Sequence, residues 1–279
     1  MTFPSLQKEP PHLFESKNFL MATFDTPGRS VIGEEGGYGT CYSFGPFRVE
    51  YYTCAKEPRL SPWRGLRLVV WTPVSREDTP TGWLSLPSGN IVYAFVNITS
   101  MEETIRSWNK TFRNYAHVWS RQKDYIIEEV SLEEFLTHYD RVSCTFIDPD
   151  LVAVKLQRNR RHTKVSPDQT FFYVLCESDG EGCVAGISVA DFPEVDQSCY
   201  VSAFTDKTIA PPGAGLWLCK HWMEQSNARG IHFANLGEMW TKGQPKEWKG
   251  FTEFKKKFNP HYITLPRSLI RLTFSLRKK

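Results

Sequence analysis

Two neighbouring runs decide the fold of this chain: Cys183-Val-Ala-Gly-Ile-Ser-Val-Ala-Asp-Phe192 and Ser198-Cys-Tyr-Val-Ser-Ala-Phe-Thr205. Both runs are rich in β-branched and aromatic residues, a composition that is typical of strands. The segment between them, Pro193-Glu-Val-Asp-Gln197, has the composition of a turn. The pattern therefore predicts a β-hairpin, and the neighbouring elements are placed relative to it.

The hairpin is followed by a loop rich in glycine and proline, Ala210-Pro-Pro-Gly-Ala-Gly215. Apolar residues then recur at helical spacing from Leu216 to Ala228, and Gly230 ends the predicted helix. Ile231-His-Phe-Ala-Asn-Leu236 has the character of a buried strand. The first amides of a helix have no intrahelical partner, so the loop is either a site for an anion such as phosphate or an ordinary strand-to-helix turn.

The first hundred residues are predicted to be mostly β-structure with little helix. Four runs have strand composition: Thr40–Phe44, Arg48–Cys54, Leu66–Trp71 and Ile91–Asn97. Polar loops that contain proline and glycine separate the last three of these runs.

Two helix starts are marked further along the chain by a serine followed three residues later by glutamate. These are Ser100-Met-Glu-Glu103 and Ser131-Leu-Glu-Glu134, which have the form of capping boxes. A further helix is predicted to begin at Asp148-Pro-Asp150, where acidic residues suit its positive end. Phe171–Cys176 follows it as a predicted strand.

The composition is that of a globular protein, with 41% hydrophobic and 23% charged residues. No apolar run approaches the length of about 18 residues that crosses a bilayer, and the first residues lack a secretion-signal pattern. We therefore expect a cytoplasmic protein. The seven cysteines form no CxxC pair, which predicts neither a disulfide framework nor a metal site. Cys176 and Cys183 flank a turn as possible cross-strand neighbours, and core packing is the role predicted for both.

The net charge of the chain is only +3, but its basic residues are clustered. Ten of them lie between Lys246 and the last residue, facing two acidic residues. A second cluster spans Lys155–Lys164 and contains Arg158, Arg160 and Arg161. Arginine forks match the geometry of phosphates, so these three residues are candidates for a nucleotide diphosphate or a tRNA acceptor stem. A solvated surface is the alternative for each of them.

The order of these elements resembles the C-terminal GNAT-like module of the FemABX family of non-ribosomal peptidyl transferases. The resemblance is carried by Phe233-Ala-Asn-Leu-Gly237, by Gly250-Phe-Thr-Glu-Phe-Lys-Lys-Lys-Phe258 and by the helix-strand-helix segment Ser100–Val142. It implies an α+β fold of tandem GNAT-like domains. Residues 1–112 would form a reduced, mostly β N-terminal domain, and residues 113–261 a transferase domain with a mixed sheet flanked by helices. The resemblance leaves open whether residues 262–279 return to the first domain.

The resemblance implies transfer of an amino acid from aminoacyl-tRNA to an amine on a peptidoglycan precursor or another small peptide, including a nucleotide-linked one. Aminoacyl-tRNA would be the co-substrate, with no bound cofactor and no metal. A CoA-dependent N-acyltransferase is the first alternative, although Ala210 stands where such enzymes carry arginine or glutamine. The second alternative is a catalytically silent module that binds RNA or a protein.

The same resemblance suggests roles for individual residues. Lys255 would stabilise the oxyanion and Phe254 would stack on a base, with Lys256 and Lys257 as auxiliary phosphate contacts. Core packing is the alternative for Phe254.

Other candidates follow from their positions along the chain. The resemblance implies that Tyr200 lines the acceptor cleft, with simple packing as the alternative, and as alternate strand residues Tyr200 and Ser202 are predicted to share one face. The glycines of the loop, Gly213 and Gly215, would contact an anion. Four further candidates for a general base or a substrate contact are Asp191, Asp206, His221 and Glu238.

Overall fold

The computed structural model describes residues 12–34, 37–74, 79–86, 91–143, 149–178, 182–242 and 249–275. Several predictions fall outside these residues: the role of Cys144, the start of a helix at Asp148, and the basic residues Lys246 and 277–279. Within the described part, the chain forms two mixed sheets and seven α-helices.

A six-stranded sheet contains most of the N-terminal strands and one strand from the C-terminal end. Its strands lie in the order β1-β2-β3-β4-β13-β5. Their bounds are β1 Arg29–Ile32, β2 Gly39–Phe44, β3 Phe47–Cys54, β4 Gly65–Pro73, β5 Leu84–Ser85 and β13 Leu269–Ser275. The parallel pair β3–β4 lies at its centre, and every other pair is antiparallel.

A seven-stranded sheet contains the predicted hairpin. Its order is β12-β6-β11-β10-β9-β8-β7. The bounds are β6 Ile91–Asn97, β7 Tyr125–Glu129, β8 Thr170–Glu177, β9 Cys183–Phe192, β10 Gln197–Thr205, β11 Phe233–Met239 and β12 His261–Leu265. Strands β9 and β10 are the predicted hairpin, and β10 and β11 form the parallel pair of this sheet.

The helices pack mainly against the seven-stranded sheet. They are α1 Lys17–Phe24, α2 Met101–Ser107, α3 Lys110–Trp119, α4 Leu132–Ser143, α5 Pro149–Val165, α6 Ala214–Ala228 and α7 Lys249–Lys256. Helices α3 and α6 share a core with one face of the sheet, and α4 packs on the other face. Helix α5 lies beside α4 and contacts α1 and β10.

Both predicted serine caps are present. The Ser100 hydroxyl accepts the Glu103 amide at 3.4 Å, and the Ser131 hydroxyl accepts the Glu134 amide at 3.3 Å. Each hydroxyl satisfies one of the amides that a helix start leaves without an intrahelical partner. No helix of the described residues is long and apolar enough to cross a membrane.

The pairing of two strands bears on the predicted domain boundary after residue 112. Strand β6 lies before that boundary, yet it pairs with β11 and β12 of the seven-stranded sheet. Strand β13 lies after the second sheet in sequence but pairs with β4 and β5 of the first. The described part of residues 262–279 is thus shared between the two sheets, and the boundary itself stays a prediction.

The prediction of core packing as the role of Cys176 and Cys183 is corrected. The register of β8 and β9 places the two residues opposite each other, and their sulfur atoms are bonded as a disulfide. The sequence placed them as neighbours across a turn, but the bond depends on the strand register. The cysteines Cys41, Cys54 and Cys199 are free and buried.

Candidate active site

The seven-stranded sheet opens where its parallel pair ends. Strands β10 and β11 are paired from Gln197 to Cys199 and from Phe233 to Asn235, and the register stops there. Beyond that point β10 continues only along β9, and β11 only along β6. A cavity of about 560 Å³ lies at the point where they part. The main-chain groups on the facing edges therefore no longer bond to each other across the opening.

A β-bulge in β10 decides which of its side chains reach the cavity. The register with β9 shifts between Tyr200 and Ser202, so that Val201 is the extra residue. Tyr200 lines the cavity, whereas Ser202 is buried and bonds to Asn159 of α5 at 2.8 Å. The prediction that Tyr200 and Ser202 share one face is therefore wrong, because the extra residue breaks the alternation.

A second bulge turns β11 away from β10. The Asn235 side chain accepts the amide of Gly237 at 2.8 Å and donates to Gln197 Oε1 at 2.8 Å. Gly237 has a φ of +79°, a conformation that glycine adopts without strain. The extra residue, Leu236, lies on the cavity wall. The buried Asn235 side chain thus links the last paired residue of β11 to Gln197, the first paired residue of β10, and holds the Gly237 amide where the strands separate.

Lys255 of α7 lies on the wall of the cavity beside this second bulge. Its ammonium donates to the main-chain oxygen of Glu238 at 2.7 Å, and a side chain at Gly237 would approach it to 3.7 Å. Burial lowers the pKa of Lys255 to about 8, opposed by the charge of Glu238. At neutral pH the group is still mostly an ammonium, and it donates hydrogen bonds at the edge of an apolar cavity.

A second lysine, which the sequence did not single out, lies within electrostatic reach of Lys255. Burial and the neighbouring Arg158 lower the pKa of Lys155 to about 8, and the charge of Lys155 lowers the pKa of Lys255 in turn. Lys155 is on α5 and Lys255 on α7, far apart in sequence. Only the packing of α5 beside β10 brings these two cations together.

The remaining wall of the cavity is largely apolar. One face of α6 contributes Leu218, Cys219 and Trp222, and the Trp222 indole donates to Ser198 Oγ at 2.7 Å. The sequence predicted these positions as part of a helix but not as a wall. The other lining residues that it did not name as site candidates are Val142, Gly186, Ile187, Ala203, Phe204, Thr205, Lys207, Leu236, Gly250 and Phe251.

The loop glycines lie at the start of α6, as predicted. Gly213 has a φ of +87°, and a side chain there would lie 2.9 Å from the Trp119 indole nitrogen and 3.2 Å from Tyr115. Gly215 lines the cavity, with open space where its side chain would be. Gly215, at the start of α6, and Lys207 line the same cavity, and a helix start beside a lysine suits an anion.

Phe254 takes part in the apolar packing that was the alternative to a stacking role. Its ring packs against Phe112 at 5.4 Å and against Phe258 at 5.3 Å, although it also lines the cavity. Phe251, one turn earlier on α7, is 64% exposed and lines the same cavity. Phe251 therefore presents an exposed aromatic ring at the cavity, whereas Phe254 is packed.

The candidate bases lie in different environments. Asp206 accepts both the amide and the hydroxyl of Thr208, which lowers its pKa, and it starts a turn next to the cavity. Asp191 is buried and paired with Arg229 at 2.7 Å. His221 packs edge-on against Tyr173 at 4.8 Å, away from the cavity lining, and burial lowers its pKa. Glu238 is the candidate within electrostatic reach of Lys255.

The three arginines of α5 do not form one cluster at the cavity, although Arg158 and Arg161, three residues apart, lie within electrostatic reach of each other. The charge of Arg158 acts on Tyr200, whose pKa is raised by burial and lowered by this arginine. Arg161 lies within reach of Asp25, next to the end of α1, and Arg160 is exposed. The structure therefore brings Arg158 towards the cavity strand and keeps Arg161 within electrostatic reach of it, whereas Arg160 is exposed.

No family profile matches this sequence, and no curated protein matches it at a significant level. Solved structures do match. FemX superposes with a TM-score of 0.73 at 8% identity, covering 96% of this chain and 94% of FemX. The chain has a FemABX-type, GNAT-like fold. The predicted α+β class with tandem GNAT-like domains is thereby confirmed.

Two further structures share this fold at lower similarity. The C-terminal domain of a protein named as a lysylphosphatidylglycerol synthetase, from Agrobacterium fabrum, gives a TM-score of 0.57 at 13% identity, with 92% of this chain and 87% of that chain covered. L-PGS from Bacillus licheniformis gives 0.56 at 13% identity, with 88% and 84% covered. Identities this low establish the fold and leave the activity to be argued from the site.

Proposed function

We propose that this chain is an acyltransferase of the Fem type, which moves an aminoacyl group from aminoacyl-tRNA to an amine acceptor. The acceptor would be a peptidoglycan precursor or another small peptide. The observation that supports this most directly is the cation of Lys255 at the opening between β10 and β11. Transfer to an amine needs donors for the negative charge that develops on the carbonyl, and this opening supplies them.

The proposed reaction forms one bond and breaks one. The acceptor amine attacks the ester carbonyl, and the resulting oxyanion lies against the Lys255 ammonium and the free amides of the β10 edge. The ester bond to the terminal ribose then breaks, and the proton of the amine ends on the ribose oxygen. It travels either through Glu238, beside Lys255, or through the substrate itself.

The proposed donor is placed by charge and stacking at the mouth of the cavity. The terminal phosphates of the tRNA would meet the start of α6 and Lys207, with Lys256 and Lys257 further along α7. Phe251 would stack on the terminal base, because its ring is exposed where Phe254 is packed. The apolar wall formed by α6 and Leu236 would then enclose the aminoacyl group.

A CoA-dependent N-acyltransferase is the second candidate function. It is favoured by the conformation of the Gly213–Gly215 loop, whose helix start and neighbouring lysine also suit a diphosphate. The third possibility is a silent module that binds RNA or protein without transfer.

Supplying each donor separately distinguishes these functions. The purified chain is incubated with tRNA charged with radiolabelled amino acids, or with acetyl-CoA, in the presence of peptide amine acceptors. We expect label to reach the acceptor from charged tRNA, and prior treatment with ribonuclease to abolish this transfer. Release of free CoA thiol would instead support the second candidate. If neither product forms while the chain still binds tRNA, the result would contradict an enzymatic role.

A further inference from the structure

The six-stranded sheet exposes an apolar face. Three rows of side chains cross it in register on one side: Phe44, Phe47, Leu66 and Phe274, then Tyr42, Val49, Leu68 and Leu272, then Tyr51, Val70, Ile270 and Leu84. None of these twelve residues is charged, and we call them the open face. Its six most exposed members have 43% to 70% of their surface accessible: Phe44, Phe47, Tyr51, Leu84, Leu272 and Phe274.

Arg29 of the edge strand β1 lies beside the open face, over the Tyr42 ring at 5.2 Å, whereas the charged residues of β3, β4 and β13 lie on the opposite side of the sheet. There Arg48 bonds to Glu50 at 2.7 Å, and Arg67 approaches the same carboxylate at 3.4 Å. Arg271 pairs with Glu57 at 3.0 Å. A sheet with one face in water normally alternates apolar and polar residues, with the polar ones outward. This sheet instead turns its charges inward, the pattern of a sheet that is covered on both faces.

We infer that the open face binds the open face of a second copy of this chain. Four of the six exposed side chains are aromatic, at about 150–250 Å² each, so the six offer on the order of 600 Å² per copy. Two copies packed face to face would bury about 1,200 Å² in total, which reaches the size of a standard stable interface. The two sheets would stack about 10 Å apart, as in a β-sandwich.

A second copy suits this face better than an anionic lipid surface does. Protein surfaces that bind such lipids surround their apolar residues with lysine and arginine. The arginines on β3, β4 and β13 point to the opposite side, where carboxylates neutralise them. In an isologous contact every position of the patch meets the same uncharged patch, so no charge is buried without a partner.

The mass of the full chain in solution tests this inference, and it does so without reference to any transferase activity. Light scattering or sedimentation is measured from about 1 μM to about 100 μM, a range that detects affinities of ordinary dimers. We expect the mass of two chains. Leu272→Glu should weaken the dimer at least roughly tenfold, because the complex would have to bury two unpaired carboxylates. Leu84→Glu, on the separate strand β5, is a second variant with the same expectation.

Val118→Glu is the matched control, because Val118 is similarly exposed but lies on α3. It should leave the mass of two chains unchanged, and thermal melting of all variants should match that of the parent chain. A parent chain with the mass of one chain throughout the range would overturn the inference. So would a dimer that neither glutamate weakens, or a monomer that binds phosphatidylglycerol vesicles through this face.

Discussion

Each sheet of this molecule contains one parallel pair, and the two pairs end differently. In the six-stranded sheet β3 and β4 remain paired over eight successive positions. In the seven-stranded sheet β10 and β11 pair at three positions and then separate. The two sheets also differ in cover, since helices lie on both faces of the second while the first keeps an open face. The end of pairing between β10 and β11 forms a pocket in the second sheet, and the open face of the first sheet is the proposed docking surface.

The difference between the two pairs has a local cause. In the separated pair each strand carries a bulge, and the Asn235 side chain accepts the Gly237 amide of β11 and donates to the Gln197 side chain of β10. No register shift occurs between β3 and β4. Because an unpaired amide in a dry site costs about 1–3 kcal/mol, separation persists only where side chains or a ligand compensate for the lost ladder.

The largest effect is expected from removing the cation at the separated pair. Lys255→Met keeps the length of the side chain and should lower the transfer rate by roughly 100-fold, the scale of losing one oxyanion donor. Thermal stability at pH 7 should not fall, because burial already opposes the charge, as its lowered pKa indicates. The measurement is single-turnover transfer alongside thermal melting.

Lys256→Met is the control for this prediction. Lys256 is the next residue of α7, but its ammonium pairs with exposed Glu253 at 2.9 Å and points away from the cavity lining. Because Lys256 is proposed as an auxiliary phosphate contact only, we expect weaker binding of the donor but only a small change in the single-turnover rate at saturating donor. Equal losses in the two variants would show that general charge on α7, and not the position of Lys255, is what matters.

A smaller effect is expected from straightening β11. Gly237→Ala forces a side chain into a conformation at φ +79°, which should lower the free energy of unfolding by about 1–2 kcal/mol. It should also reduce transfer, since the new methyl group would lie about 3.7 Å from the Lys255 ammonium. Chemical denaturation measures the first effect.

Gly215→Ala is the companion variant. Gly215 also lines the cavity, but its φ is not positive and open space surrounds its missing side chain. We expect its stability to be unchanged or slightly raised. If Gly237→Ala were as stable as Gly215→Ala, the account of why β11 leaves β10 would be wrong.

The remaining prediction is a pH dependence in the region between the N-terminal segment and the seven-stranded sheet. Burial lowers the pKa of His12 to about 4 and that of His162 to about 3, both below the ordinary value of 6.5. The unfolded chain therefore binds more protons than the folded one below pH 6.5. Stability should be full above that pH and fall by up to about 1.4 kcal/mol per pH unit for each histidine as pH drops towards 4.

This decline is measured by chemical denaturation at pH 7, 6 and 5. These pH values begin above the ordinary histidine pKa of about 6.5 and extend below it. His162→Gln should flatten the curve, and His117→Gln, at an exposed position on α3, should not. A curve that is equally steep in both variants would place the acid-sensitive groups elsewhere in the fold.

Local sequence was a reliable guide to the elements of the second sheet. The run Cys183–Phe192 coincides with β9, and Ile91–Asn97 coincides with β6. Their alternation and flanking turns are local signals that need no knowledge of neighbours. The bulge at Val201 gave no such signal, because it depends on which residue of β9 lies opposite, and the face of Ser202 was therefore predicted wrongly.

Some residues of the candidate site were likewise predicted from the sequence, and others were found only in the structure. Lys255, Tyr200 and Gly215 were named from sequence and line one cavity. Lys155, Lys207 and Trp222 were not, because each belongs to an ordinary amphipathic or polar segment when read alone. His221 was named but packs on Tyr173 instead, since helical spacing alone does not tell which flank of α6 meets the cavity.

The sequence by itself determined most of the strands, the capped helices and the glycine loop, since turn chemistry and periodicity act over a few residues. Strands β1, β5, β12 and β13 were not predicted. Tertiary structure alone decided where β10 and β11 separate, which cations meet at that opening, and which face of the first sheet stays open. These features depend on strand register and on contacts between residues far apart in the chain. A local sequence pattern does not show where two neighbouring strands stop pairing.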